Sequence, residues 1–151
     1  AAPEGPAKAW PIPARIGSTQ LVAGRVLFVG DAARATDTLT GEGIGQALES
    51  GELAARAIVA GGPHRPALVA ARYRRHVLAG MGADDKLAAA LSRVLSHRKG
   101  ARAAVYLAGA NEWTRRNFVR WMFEDYPRSM VATPHRWHAG MFHGPGAYRN
   151  P

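Results

Sequence analysis

The 151-residue chain has no cysteine, which excludes disulfides and thiolate chemistry and fits a cytoplasmic, reducing compartment. No apolar run approaches the roughly 20 residues that span a bilayer. The first residues lack the basic, apolar and cleavage-site succession of a secretory signal. Acidic residues are scarce, 11 against 20 lysines and arginines, for a formal charge of +9. No nucleic-acid module accompanies that excess, and the aromatics do not interleave with basic residues as a stacking platform, so nucleic acid is not expected as a partner. No Ser–His–Asp or paired-carboxylate arrangement can be singled out, so catalytic residues stay unassigned.

What is present suits one soluble domain with a real core. Most of the positive charge falls after Gly62, in Arg65, Arg72, Arg74, Arg75, Arg98, Lys99, Arg102 and beyond. It reads first as a solvated arginine-rich surface, and second as a face for a membrane surface or an anionic ligand.

The chain divides into four stretches. Residues 1–24 are Pro- and Ala-rich and hold the extended Trp10-Pro-Ile-Pro13, ending in a short hairpin arm over Leu21–Gly24 with Ala23-Gly24 as its turn. Within 25–62, the apolar Arg25–Val29 reads as a buried strand. A helix follows from Gly43 to about Ala60, with Ile44, Ala47, Leu48, Gly51, Ala54, Ala55, Ile58 and Val59 as its apolar face and Glu52 and Arg56 as an exposed pair. Gly61-Gly62-Pro63 ends it. Residues 63–132 read as helical: one helix from Pro66 to about Leu78, one starting near the capping candidates Asp84-Asp85, an interruption at Gly100, and one over about Ala101–Ala110. The last, Asn111–Phe123, carries Trp113, Asn117, Phe118, Trp121 and Met122 on one face, with Arg115, Arg116 and Arg120 largely elsewhere. Residues 133–151 read as a loop-rich tail.

The chemistry concentrates between Gly30 and Ile44. Asp31 ends an apolar strand, where a carboxylate accepts hydrogen bonds from ligand hydroxyls or simply makes a turn. Thr40-Gly-Glu-Gly-Ile-Gly45 opens the helix, with Thr40 as candidate cap and Glu42 in the first turn. Glycine costs a helix interior about 1 kcal/mol relative to alanine. Three glycines therefore point either to close approach of a ligand to the backbone or to tight helix–sheet packing. Free N–H groups at a helix start favour an anion or a partly negative carbonyl. Gly41-x-Gly43-x-Gly45 is not the dinucleotide fingerprint, because position 46 is Gln and the strand ends too far upstream.

Gly30-Asp-Ala-Ala33, Leu39-Thr-Gly-Glu-Gly-Ile44 and the helix to Ala55 together resemble the second FAD-binding motif of the flavoprotein hydroxylase-like superfamily. The wording Leu-Thr-Gly-Glu-Gly-Ile is similar to the geranylgeranyl reductase branch. The likeness covers about a quarter of the chain. It implies an α/β fragment, the C-terminal part of an FAD-binding Rossmann-type domain followed by a mostly helical region. It implies that Asp31 accepts hydrogen bonds from the ribityl chain of FAD, with Gly30 to Ala32 beside the pyrophosphate. Thr40, Gly41, Glu42, Gly43 and Ile44 would lie against the isoalloxazine, the helix start facing its N1–C2 carbonyl edge. Arg34 and Thr38 depart from the Gly and Pro frequent in that pattern, and leave the substrate open.

The strand–GxGxxG–helix unit that holds the ADP half of FAD in that family is absent from this sequence, as is the substrate-facing middle segment. The resemblance therefore implies a truncated chain, a cleavage product or a split subunit, with an N-terminal FAD-binding portion as partner and an isoprenoid or other lipophilic substrate. A flavin monooxygenase or halogenase-like fragment is the alternative within the superfamily. A basic helical partner-binding module without flavin is the alternative outside it. No metal is expected: His135, His138 and His143 sit in a Pro- and Gly-rich tail without a carboxylate. Trp113, Trp121 and Phe123 read as helix packing first, and as cover for an isoprenoid or a membrane contact second.

Overall fold

The computed structural model describes residue 5 and residues 9–123. The tail with His135, His138 and His143, and the side chains of Met122 and Phe123, lie outside the described residues. A hairpin of β1 (Val22–Ala23) and β2 (Val26–Leu27) precedes five helices. These are α1 (Ile44–Gly61), α2 (Pro66–Ala79), α3 (Met81–Leu95), α4 (Arg98–Gly109) and α5 (Glu112–Phe123). The described chain is thus mostly helical with one small antiparallel sheet, and fits an α/β fragment in that coarse sense.

In the hairpin Val22 faces Leu27 and Ala23 faces Val26. Gly24 takes φ +57, the left-handed conformation a tight hairpin turn demands, so the turn is Gly24-Arg25 and not Ala23-Gly24. The strand expected over Arg25–Val29 is shorter and is not buried: Val26 and Val29 are exposed, Leu27 and Phe28 half-buried. The reason is that the sheet stops at two strands among the described residues, so no third strand flanks β2. Its covered side meets α2, where the buried Tyr73 hydroxyl donates to the Phe28 carbonyl at 2.5 Å. Burial raises the Tyr73 pKa, which keeps the phenol a donor.

Helix α1 matches the expected span, but its buried side does not match the expected apolar face. Ser50, Ala54, Ala57 and Gly61 are buried, while Ile44, Leu48, Ile58 and Val59 are exposed. Small residues win because α1 crosses α2 closely. A Cβ on Gly61 would run into the Val69 side chain and lie 3.3 Å from the Val69 backbone N. Larger residues on that side would push the helices apart. Gly62 at φ +77 then turns the chain, and Pro66 enters α2 near its first position, where its missing N–H costs nothing. Tyr73 and Val77 of α2 complete the core with Ile16, Leu21 and Val22.

Helix α3 starts at Met81, earlier than the Asp84-Asp85 caps suggested, with Gly80 as its N-cap and no side-chain cap. Asp85 instead accepts from the Gly17 N–H at 3.3 Å and from the Thr38 hydroxyl at 2.8 Å, tying two loops to α3. Gly100 does not interrupt a helix; it lies inside α4, because the α3–α4 turn is so tight that a Cβ there would strike the Val94 carbonyl. At the start of α5, Asn111 Oδ1 accepts the Thr114 N–H at 2.9 Å and Thr114 Oγ1 accepts the Asn111 N–H at 3.1 Å, a reciprocal cap. Arg120, expected on the solvent side, is only 6% exposed. Its seven-residue spacing from Trp113 returns it to the face that Trp113 occupies.

Candidate functional site

The exit from β2 is fixed by one buried hydroxyl. Gly30, at φ +54, begins a short 3₁₀ turn through Ala33 and donates its N–H to Ser50 Oγ at 3.0 Å. Ser50, fully buried on α1, donates its own hydroxyl to the Ala47 carbonyl at 3.0 Å. A Cβ on Gly30 would sit 3.2 Å from the Ala47 Cβ, so the strand end lies directly on the helix. That pinning sets Asp31 beside the start of α1.

Asp31 is exposed, and its Oδ1 accepts from the Thr36 hydroxyl at 3.3 Å. A carboxylate has about four acceptor positions, so this bond leaves capacity for ligand hydroxyls. Thr36 is itself buried and forms a parallel bridge with Ala14, which draws the Trp10–Pro13 segment alongside.

The loop before α1 is held by Asp37. Its Oδ1 accepts the N–H groups of Leu39 and Thr40, each at 2.7 Å, and its own N–H donates to the Glu42 carbonyl at 2.7 Å. The Gly41 N–H closes on the Asp37 carbonyl at 3.0 Å, with Gly41 at φ +75. Thr40 does not cap α1, and Glu42 does not lie in its first turn. The cap position is Gly43, no side chain caps it, and the first turn holds no acidic residue. The Thr40 hydroxyl instead accepts the Glu42 N–H at 3.3 Å. Asp37 has drawn Thr40 into its own turn, which leaves the helix mouth to bare backbone. The first N–H groups of a helix have no intrahelical acceptor, so this mouth is an electropositive edge.

These pieces line one open groove of about 640 Å³. Asp31, Gly41, Gly43 and Ile44 converge on it, together with Trp10, Pro11, Ile12, Pro13, Thr36 and Ala47. Of the other residues singled out by sequence, Gly30 is buried in the pinning contact, Ala32 and Glu42 are exposed, and Thr40 is half-buried; none lines the groove. Arg34 is exposed at φ 53, in the turn after Ala33, and does not line it either. The Trp10–Pro13 wall was legible as an extended segment but not as part of a site, because it arrives through the long-range Ala14–Thr36 bridge. Ala47 was legible only as part of the apolar helix face, and Thr36 carried no local signal.

The groove fits a ligand with hydroxyls, an electron-rich edge and a flat apolar part. A Cβ on Gly43 would come within 3.3 Å of Thr36 Oγ1 and 3.9 Å of Asp31 Oδ1, intruding between the carboxylate and the helix mouth. Among the described residues, Cβ atoms on Gly41 and Gly45 would meet nothing within 4 Å, so packing among them does not explain glycine at position 45. Close approach by something outside the chain would explain it.

Behind Thr36 lies a smaller cavity of about 60 Å³, lined by Asp37, Glu49, Asp84, Asp85 and Gln46 among others. Partial burial, then the Asp84 and Glu52 carboxylates, raise the Glu49 pKa above the usual glutamate range. Among the described residues no group of three or more His, Cys, Asp or Glu is arranged to hold a metal ion. Comparison with protein-family models, curated proteins and solved structures finds no match for this chain.

Proposed function

We propose that this chain supplies the ribityl- and isoalloxazine-binding part of an FAD-dependent oxidoreductase, one resembling geranylgeranyl reductases, which reduce isoprenoid double bonds. The observation that carries the reading is the convergence of Asp31, Gly41, Gly43 and Ile44 on one groove at an uncapped helix mouth. Bound FAD would supply hydride transfer. Asp31 would hold the ribityl hydroxyls, with the Thr36 hydroxyl orienting its carboxylate. The α1 mouth would favour electron density on the pyrimidine edge of the ring, since the helix dipole attracts negative charge. Trp10, Ile12 and the flanking prolines would exclude water from the opposite wall.

The reading extends to a partner: an N-terminal FAD-binding portion or subunit, built on a Rossmann-type sheet, that carries the ADP-binding loop this sequence lacks. The flank of β2, which no third strand covers among the described residues, supports this, because an isolated two-stranded ribbon is marginal in water. The substrate would be an isoprenoid or similar lipophile, handled in the cytoplasm. No acid or base is assigned a catalytic role.

Titrating riboflavin with the chain and following quenching of flavin fluorescence tests the reading. Binding that weakens at least about tenfold in Asp31→Ala, from loss of charge-assisted hydrogen bonds, and is partly retained in Asp31→Asn supports it. Absence of quenching with the chain in large excess over dilute riboflavin, or binding indifferent to both substitutions, would falsify it.

A further inference from the structure

Helix α4 buries none of its residues. Its half-buried side is Gly100, Ala101, Ala104 and Ala108, and it packs on α3 and α5. The outer side divides along the axis. Arg98, Lys99 and Arg102 are exposed toward its start. Val105, Tyr106 and Leu107 near its end are 74%, 78% and 64% exposed. Consecutive helical residues point about 100° apart, so these three cover more than half the circumference. No single helix packed alongside would cover them all.

The chain then bends through Ala110 and Asn111 into α5, where Trp113 is half-exposed and Arg115 and Arg116 are exposed. The outer side of α4 therefore combines three exposed apolar residues with three exposed cations, and further exposed arginines follow the Ala110–Glu112 corner. From residue 98 to residue 120, Arg98, Lys99, Arg102, Arg115 and Arg116 are exposed and Arg120 is buried, against one acidic residue, Glu112. Arg98 and Val105, seven residues apart, share one azimuth of the helix, so α4 lying along a bilayer presents cations and apolar side chains to it together.

We infer that this corner is a docking surface for an anionic bilayer, with Val105, Tyr106 and Leu107 at the headgroup–acyl boundary and the arginines on lipid phosphates. Charge complementarity selects anionic lipid, and the exposed apolar residues distinguish a bilayer from nucleic acid. A nucleic-acid backbone answers the arginines but gives Val105 and Leu107 no water-free surroundings. A bilayer accepts exposed apolar side chains spread round a helix without a shaped pocket. Docking is peripheral, because no helix among the described residues is long and apolar enough to cross a membrane.

Co-sedimentation of the full chain with vesicles tests this, independently of flavin. The chain should pellet with phosphatidylcholine vesicles containing phosphatidylglycerol and stay in solution with phosphatidylcholine alone. Each basic residue contributes roughly a fivefold factor to partitioning onto anionic lipid, so Arg98→Gln, Lys99→Gln and Arg102→Gln together should weaken it roughly a hundredfold. Val105→Ser with Leu107→Ser should also release the chain, without loss of helical circular dichroism because both residues are exposed. Glu112→Gln should tighten binding a few-fold. Equal binding to both vesicle types, or no binding to either, contradicts the inference. So does vesicle binding indifferent to the Val105 and Leu107 substitutions, or capture by an RNA oligomer in place of vesicles.

Discussion

The two sides of α1 differ in what they are made of and in what they meet. The side toward α2 is small and largely featureless: Ser50, Ala54, Ala57 and Gly61, all buried. An adjacent stripe holds Ile44, Leu48, Ala55 and Val59, with Ile44, Leu48 and Val59 at 80%, 72% and 85% exposed. Burying a side chain of Leu or Val size contributes about 1.5–3 kcal/mol. The chain thus leaves its most hydrophobic helical stripe in water and builds its core from the poorer one. The small side is a solution to close helix crossing. The larger side is left open, and it is where the proposed FAD-binding partner would have apolar surface to cover.

Breaking the small side should have the largest effect. Gly61→Val places branched carbons where the Val69 side chain already lies, and should cost about 3 kcal/mol by overpacking, read from chemical denaturation. A neutral result would mean that α1 and α2 do not cross as described. Gly51 tests the other direction. Its Cβ would meet nothing within 4 Å, so Gly51→Ala should stabilise the isolated chain by about 1 kcal/mol through helix propensity. If that same change lowers stability, position 51 is already packed.

The exposed stripe should be nearly silent on its own. Leu48→Ser with Val59→Ser should change the stability of the chain by no more than about 0.5 kcal/mol per site, as exposed positions generally do. A large loss would show that this chain covers the stripe itself. The smallest effect concerns Glu49, beside the stripe. Its carboxyl pKa is raised by partial burial first, then by Asp84 and Glu52. The folded state therefore binds the proton more tightly than the unfolded chain. Stability is full below the unfolded glutamate pKa and falls as pH rises through the raised value. Glu49→Gln should give a small rise in Tm at neutral pH that disappears under acid conditions. A rise that persists at acid pH would refute the electrostatic explanation.

Much of the local architecture was legible because it follows from local chemistry. The hairpin, α1 between its glycines and α2 from Pro66 all come from turn and capping residues, and the hairpin turn moved by only one residue. Asp31, Gly41, Gly43 and Ile44 were recognisable as a set, and they do meet at one groove. Interactions distant in sequence were hidden. Nothing near Asp84-Asp85 reveals that Asp85 answers Gly17 and Thr38 instead of capping α3. Gly100 reads as a helix break in the sequence, yet it lies inside α4 and its missing Cβ admits the Val94 carbonyl in a tight turn. The Ile44–Val59 stripe misled because periodicity reports hydrophobicity and cannot say whether the covering surface belongs to the same chain. Thr40 looked like a cap until Asp37 claimed its backbone.

The most direct test compares riboflavin and FAD binding by this chain. If its groove recognises only the ribityl and ring half of the cofactor, the two ligands should bind with affinities within about threefold, a difference of about 0.6 kcal/mol. Adding a partner that carries the ADP loop should then favour FAD alone. A preference for FAD of a hundredfold or more by the isolated chain would contradict the account, because it would require an ADP-binding surface that none of the described groove residues provides.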